Sequence, residues 1–194
     1  MAPHIRESNQ FALEGQIREC FGRIVYSHKT HEKQADICAN TLTRFKIAQI
    51  LIAAVTTSGT IAVVVIDDVL LKILTALVSM IGLFVSGYMK GFDPGAAAQK
   101  HRDTAADLWA IRESYLSLLT DLSSSALSED EVRERRDALQ LSLAAIYKSA
   151  PGTTYKAYCK AQAALQIMED YTFNPGEIDK FLPSSLKSQK NSNG

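Results

Sequence analysis

Three histidines stand at positions where helix packing normally selects apolar side chains. His28 and His31 interrupt a row of apolar residues on one helix face, and His101 does so on a later segment. Neutral imidazoles there could form a hydrogen-bonded layer that fixes helix register, protonate as a switch, or bind a metal. Two histidines three residues apart are a weak metal signal, although Cys38 follows two turns later. The sequence therefore favours the hydrogen-bonded layer and leaves the other two interpretations open.

A second set of candidate residues forms polar rows inside two long apolar runs. A pore needs such rows because ions must stay solvated across the hydrocarbon. Small residues and hydroxyls also let membrane helices pack closely and bond to each other, which is the interpretation that we favour. No acidic residue lies inside either run, which argues against a proton relay or a strongly cation-selective filter. The candidates are Gln49, Thr56 and Thr60 in the first run, and Lys72, Thr75, Ser79, Gly82 and Ser86 in the second.

The two runs have the length of membrane-spanning helices. Residues 47–66 carry no charge, and about 20 residues suffice for a helix to cross the hydrocarbon core. Residues 69–89 carry one charge, Lys72, whose long side chain can reach the headgroups from near the helix end. Asp67 and Asp68 separate the runs, so the sequence predicts a transmembrane hairpin with a minimal turn. The alternative, a hairpin buried in a soluble core, needs more chain around it than 194 residues provide.

The basic residues predict how the hairpin is oriented. The positive-inside rule assigns the more basic flanks to the cytoplasm. We therefore expect a hairpin in the inner (plasma) membrane with both termini in the cytoplasm and Asp67 and Asp68 on the far side. Balanced totals of 21 basic and 21 acidic residues also argue against direct binding of nucleic acid. The basic flanking residues are Arg6, Arg18, Arg23, Lys29, Lys33, Arg44 and Lys46 before the hairpin, and Lys90, Lys100 and Arg102 after it.

The segment before the hairpin has the pattern of a long packed helix. Apolar residues recur at alternating three and four positions from Ile17 to Phe45. No Gly or Pro occurs between Arg23 and Gly59, so the same helix is expected to continue from the cytosol into the membrane. The apolar face of this helix is the surface that we expect to hold a homo-oligomer together.

Further helices are predicted after the hairpin. Asp93 is expected to cap a helix whose packed face ends at Leu122. Ser128 is expected to start another helix through a capping box, ending near Lys148. A Pro-Gly pair precedes a third helix, and a turn at Asn174 precedes a last short one. The packed face predicted for the third helix consists of Tyr158, Ala161, Leu165 and Met168.

These segments form one predicted all-α domain, a two-helix transmembrane hairpin with an extended cytosolic helical bundle. We place the domain at residues 10–182 and a disordered polar tail at residues 184–194. The parts of the domain are a cytosolic N-terminal helix at 10–46, the first span at 47–66, the second span at 69–89 and cytosolic helices at 93–182.

Motifs for catalysis are missing from the sequence. It contains no nucleophile elbow, no zinc-protease helix, no glycine-rich phosphate loop and no nucleophile with an identifiable base. We therefore expect neither enzymatic activity nor a bound cofactor or metal. Arg102 and Arg112 are expected to pair with acidic groups on neighbouring helices rather than to bind a ligand.

A series of short motifs follows the hairpin in a fixed order. They are Lys100-His101-Arg102-Asp103-Thr104-Ala105-Ala106, Trp109, Ile111-Arg112-Glu113-Ser114-Tyr115, Leu118-Leu119, Arg136-Asp137-Ala138-Leu139, Ile146-Tyr147, Ala150-Pro151-Gly152-Thr153 and Glu177-Ile178-Asp179-Lys180-Phe181-Leu182-Pro183. In this order they resemble the SLATT family, two-transmembrane effector domains associated with SMODS nucleotidyltransferases and SLOG sensors in prokaryotic conflict systems. The resemblance covers residues from about 10 to 187 and is strongest to the reverse-transcriptase-associated branch.

The resemblance implies a membrane effector in antiphage defence. Such a protein is expected to form a pore or disrupt the membrane when a separately encoded sensor responds to infection. That sensor would be a reverse transcriptase or a nucleotide-signalling enzyme. Two spans cannot enclose a pore alone, so a homo-oligomer in the lipid bilayer is implied as well. The alternative is a non-conducting membrane-anchored scaffold that recruits a cytosolic partner through its helical bundle.

Overall fold

Five α-helices make up most of the part of the chain that the computed structural model describes, residues 3–187, with side chains from Phe11 onward. No strand occurs among these residues, so the predicted all-α class is confirmed. Two short 3-10 turns follow the last helix. The helices are α1 (Pro3–Val65), α2 (Val69–Phe92), α3 (Pro94–Ser123), α4 (Glu129–Ser149) and α5 (Tyr155–Gln166), and the 3-10 turns are Ile178–Lys180 and Ser184–Leu186.

Helix α1 is a single uninterrupted helix of 63 residues. At 1.5 Å per residue it is about 95 Å long, roughly three times the thickness of a hydrocarbon core. The predicted continuity from Arg23 to Gly59 is confirmed, because no residue there breaks the backbone hydrogen bonding. The N-terminal half of α1 is therefore joined to its apolar half by continuous helix.

Helices α1 and α2 form the predicted hairpin. Asp68 caps α2, since its side chain accepts a hydrogen bond of 2.8 Å from the backbone N–H of Leu71. Asp67 forms an ion pair with Lys72 and so stays close to the turn. None of the residues in the most apolar window of either helix is buried. The alternative of a hairpin buried in a soluble core is therefore wrong for this fold.

The chain reverses a second time at Asp93, which ends α2 and begins α3. Its φ of 31° is left-handed, a backbone conformation that Asp tolerates better than most residues. Its carboxylate accepts a hydrogen bond of 3.0 Å from the N–H of Ala96, and Pro94 occupies the first helical position. The predicted cap is confirmed, and α3 returns along the N-terminal half of α1.

The hydrophobic core lies between α1, α3 and α4, far from the hairpin. Helix α1 contributes Ile17 and Ile24, and α4 contributes Val132, all three fully buried. The predicted apolar face of α1 is therefore covered by α3 and α4 of the same chain, and our expectation that it holds an oligomer together is wrong. The remaining buried members of this core are Leu13, Ile111, Tyr115, Leu118 and Leu122.

The packing of α5 differs from the prediction. Its buried residues are Ala157, Ala161 and Ala164, whereas Tyr158 is half exposed. Met168 lies beyond the end of the helix and is exposed. Alanines let α5 approach α1 closely, so small side chains rather than large apolar ones define the contact.

The structure differs from the prediction again at the end of the chain. The short helix predicted after Asn174 is reduced to the 3-10 turn Ile178–Lys180. Of the predicted disordered tail, Ser184–Leu186 form a 3-10 turn, and residues 188–194 lie outside the described residues.

Candidate functional site

A layer of buried polar side chains separates the hydrophobic core from the hairpin. It lies where α1 contacts α3 and the segments before and after α5, and apolar side chains would ordinarily be found there. Buried polar groups need hydrogen-bond partners, so each member of this layer constrains its neighbours. The members are His28, Lys29, Thr30, His31 and Gln34 on α1, and His101 and Thr104 on α3.

His31 and His101 face each other across the helix contact. Their Nδ1 atoms lie 3.1 Å apart, with the ring centroids at 5.2 Å. One Nδ1 must donate a proton and the other must accept it, so at least one of the two rings must be neutral. Burial lowers the pKa of His31 to about 4, with a further contribution from His101 and His28. Burial also lowers the pKa of His101.

His28 lies one turn away from this pair and has different neighbours. Its ring stacks on that of Tyr171, with centroids 5.6 Å apart. Its Nε2 lies 3.6 Å from a carboxylate oxygen of Glu32, and its Nδ1 lies 3.4 Å from Nη1 of Arg112. Burial lowers the pKa of His28 and outweighs the opposing effect of Glu32. The three predicted histidines thus share one layer, and their use as a register device or a switch remains a prediction.

Lys29 is a buried ammonium group with a full set of partners. Its Nζ lies 2.8 Å from Asp170, 3.0 Å from Glu32 and 3.3 Å from the hydroxyl of Tyr171. Burial lowers the pKa of Lys29, but these hydrogen bonds outweigh that effect and raise it. The hydroxyl of Tyr171 in turn donates a 2.6 Å hydrogen bond to Glu32.

The segment after α5 supplies two of these partners. Glu169 and Tyr171 have φ values of 54° and 71°, left-handed conformations that cost free energy for residues other than glycine. The contacts of Asp170 and Tyr171 with α1 must therefore hold the segment in place. No sequence pattern predicted these residues. The only signal for them is Lys29 and Glu32, an oppositely charged pair three residues apart beside the buried face.

Arginines on α3 do not pair as predicted. Arg112 donates from Nε and Nη2 to Glu113, its neighbour in sequence, rather than to an acid on another helix. Its guanidinium carbon lies 4.6 Å from the ring centre of Tyr171. Arg102 forms no ion pair with any side chain that the structure describes. Both residues line a cleft of about 720 Å³ between α1 and α3.

No group of three or more His, Cys, Asp and Glu side chains that could hold a metal ion occurs within residues 11–187. The sulfur of Cys38 accepts a hydrogen bond of 3.6 Å from the side-chain amide of Gln34. The pair formed by His31 and His101 therefore has no third protein ligand beside it.

The polar rows of the hairpin are divided between two environments. Gln49 donates a 3.2 Å hydrogen bond to Ser86 across the contact of α1 and α2. A Cβ atom added to Gly82 would lie 2.9 Å from Ile52, so Gly82 permits close packing of the helices. Gly59, which is not among the predicted candidates, permits close packing as well, because a Cβ atom there would lie 2.7 Å from the Thr75 hydroxyl.

The other candidates of the polar rows differ in their exposure. The Thr56 hydroxyl is buried and has no hydrogen-bond partner. Thr60 and Ser79 are exposed, and each donates to a backbone carbonyl one turn earlier in its own helix. Lys72 is exposed as well and pairs with Asp67. Pore lining by any of the eight candidates remains a prediction.

Comparison with known proteins identifies a family. No curated protein and no solved structure matches the chain. The model of SMODS and SLOG-associating 2TM effector domain family 4 matches residues 13–177, which include the hairpin and most of the helical bundle. Its description as a two-transmembrane effector domain agrees with the two long apolar helices of the structure. The chain therefore belongs to family 4 of the SMODS and SLOG-associating two-transmembrane effector domains.

Proposed function

We propose that this protein is a membrane effector of a prokaryotic antiphage system that assembles into a homo-oligomer and permeabilises the membrane when a separate sensor activates it. The observation that carries the proposal is the exposed apolar hairpin, whose first helix continues without a break into the cytosolic bundle. That continuity connects an event on the bundle to the membrane. The sensor would be a reverse transcriptase or a nucleotide-signalling enzyme.

The position of the exposed polar residues supports a pore built from several copies. Thr60 follows Thr56 by four positions, and Ser79 follows Thr75 by four. Each step is a rotation of about 40° around the helix, away from a residue of the hairpin contact. Because α1 and α2 are antiparallel, equal rotations place both residues on the same side of the hairpin. Lys72, three positions before Thr75, falls on that side too. Copies that turn this side inward would line a narrow, weakly polar path.

The proposed orientation puts both termini in the cytoplasm and the turn at Asp67 on the other side of the inner membrane. The excess of Lys and Arg outside the turn supports it. The cytosolic bundle is then available to a cytosolic sensor, whereas the turn is not.

A second candidate function is a membrane-anchored scaffold that does not conduct ions. The observation in its favour is the chain after α5, where large apolar side chains are exposed in the single copy. Ile167, Phe173 and Phe181 are each exposed by more than half. Such residues are typical of surfaces that bind a protein partner.

Membrane potential separates the two functions. Cells that carry the chain with its neighbouring genes are loaded with a potential-sensitive dye and infected with a phage that the system blocks. We expect depolarisation with the wild type, retained potential when Thr60→Leu and Ser79→Leu are combined, and depolarisation with Ser58→Leu. Ser58 is an exposed polar residue on the opposite side of α1 and serves as the matched control. Retained potential in the wild type during a blocked infection would favour the scaffold.

A further inference from the structure

The proposed permeabilisation of the membrane does not use the cleft between α1 and α3, whose walls carry several cations and a tryptophan. Lys33 and Asp36 come from α1, and Arg102, Trp109 and Arg112 come from α3. The cleft is open to solvent. Its volume of about 720 Å³ lies within the range typical of sites for small molecules.

Three cations in this cleft have unused hydrogen-bonding capacity. Lys33 and Arg102 form no ion pair with any of the side chains described. Arg112 is more constrained, with a side chain only 14% exposed. The only partner of its Nη1 is His28, at 3.4 Å, which leaves donors of this guanidinium available. Partly buried guanidinium groups with free N–H donors bind phosphate well, because two N–H groups match two phosphate oxygens.

We propose that this cleft binds a small organic phosphate that carries a flat ring. Arg102, Lys33 and Arg112 bind the phosphate groups. Trp109, which is half exposed, provides the aromatic surface on which the ring stacks. Asp36 lines the same cleft without an ion-pair partner among the described residues and opposes the binding of an anion.

The dimensions of the cleft favour a small molecule over a polymer or a lipid. Arg102 and Arg112 are ten residues apart on α3, a distance of about 15 Å along the helix. The net charge of the chain is zero, which disfavours the binding of a nucleic acid. Lys33 precedes the predicted membrane boundary by 14 residues, about 20 Å of helix, which is beyond the reach of lipid headgroups.

Trp109 provides a direct readout, because it is the only tryptophan in the chain. The full chain in phosphatidylcholine nanodiscs is titrated with ADP while tryptophan fluorescence is recorded, and calorimetry provides a second measurement of binding. We expect saturable quenching by ADP. Adenosine lacks the phosphates and pyrophosphate lacks the ring, so each should bind at least about ten-fold more weakly, equivalent to losing one good contact. Absence of binding at millimolar ADP, or equal affinity for pyrophosphate, would overturn the proposal.

Two charge variants should change the affinity in opposite directions. Arg102→Gln is expected to weaken ADP binding by about ten-fold, and Asp36→Asn to strengthen it, because the first removes an attraction and the second a repulsion. Lys156→Gln, an exposed cation outside the cleft, is the matched control and should leave the affinity unchanged. Since a misfolded variant cannot bind more tightly, Asp36→Asn tests the charge argument independently of folding. Equal effects of the Arg102 and Lys156 substitutions would contradict the assigned site.

Discussion

Acidification should loosen the contact between α1 and α3 at the histidine layer. The pKa of His31 is about 4 in the folded chain, against 6.5 for an ordinary histidine. As the pH falls below 6.5, the unfolded chain therefore takes up a proton that the folded chain refuses, and stability decreases until the pH reaches about 4. Above pH 6.5 both states are neutral at this residue, and the pH dependence disappears.

The size of this effect follows from the shift in pKa. Each pKa unit corresponds to about 1.4 kcal/mol. The lowered pKa of His31 alone should therefore reduce the free energy of unfolding by about 2 kcal/mol between roughly pH 7 and pH 5. Protonation of both rings would place two N–H groups opposite each other in the contact of His31 with His101, now 3.1 Å long. The lowered pKa of His101 adds to the loss in the same direction.

Hydrogen exchange measures this loss where it occurs. Exchange of the backbone amides around His31, corrected for the pH dependence of intrinsic exchange, gives the free energy of local opening. In the wild type that free energy should fall by about 2 kcal/mol or more between roughly pH 7 and pH 5. In His31→Gln, which keeps a hydrogen-bonding side chain that does not titrate, the free energy of local opening should fall clearly less over the same pH range. The amides of α4, which contributes nothing to the layer, serve as the internal control. Equal pH dependence of the variant and the wild type would refute the assignment.

Two further substitutions test the anchor after α5 and the packing of the hairpin. The anchor consists of the contacts of Asp170 and Tyr171 with α1. Tyr171→Phe removes the hydroxyl that bonds to Glu32 and Lys29, and should lower the free energy of unfolding by about 1 kcal/mol; unchanged thermal unfolding would show that the anchor does not hold. Gly82→Ala adds a Cβ atom 2.9 Å from Ile52, whereas Gly87→Ala meets nothing within 4 Å. Gly82→Ala should therefore widen the spacing of α1 and α2 in spin-label distance measurements, and Gly87→Ala should leave it unchanged; equal spacing in both variants would contradict the close packing.

The elements that the sequence predicted are those encoded by local signals. The hairpin follows from two uncharged runs and a charged turn, and the long α1 follows from the absence of Gly and Pro between Arg23 and Gly59. The caps at Asp93 and Ser128 satisfy backbone groups within three residues of themselves, so they are visible in a short window. The three histidines stood out because each replaced an apolar residue in a periodic pattern.

The remaining features depend on contacts between distant parts of the chain. Tyr171 reaches Glu32 across 139 residues, from a segment whose left-handed backbone has no sequence periodicity. Arg112 pairs with Glu113 rather than with an acid on another helix. Such pairing depends on side-chain conformations rather than on sequence spacing. The apolar face from Ile17 to Phe45 was correctly recognised as a contact surface, but its partners include α3 and α4 of the same chain. Periodicity alone does not identify a partner.

Sidedness of the turn tests the central claim, a hairpin that spans the membrane with both ends in the cytoplasm. Two variants are compared after Cys20 and Cys38 are replaced by alanine. One keeps Cys159 as its only thiol, and the other combines Asp67→Cys with Cys159→Ala. In cells with a permeabilised outer envelope and an intact inner membrane, a membrane-impermeant maleimide should label the turn variant and spare Cys159 until lysis. Labelling of Cys159 before lysis, or protection of the turn until lysis, would contradict the account.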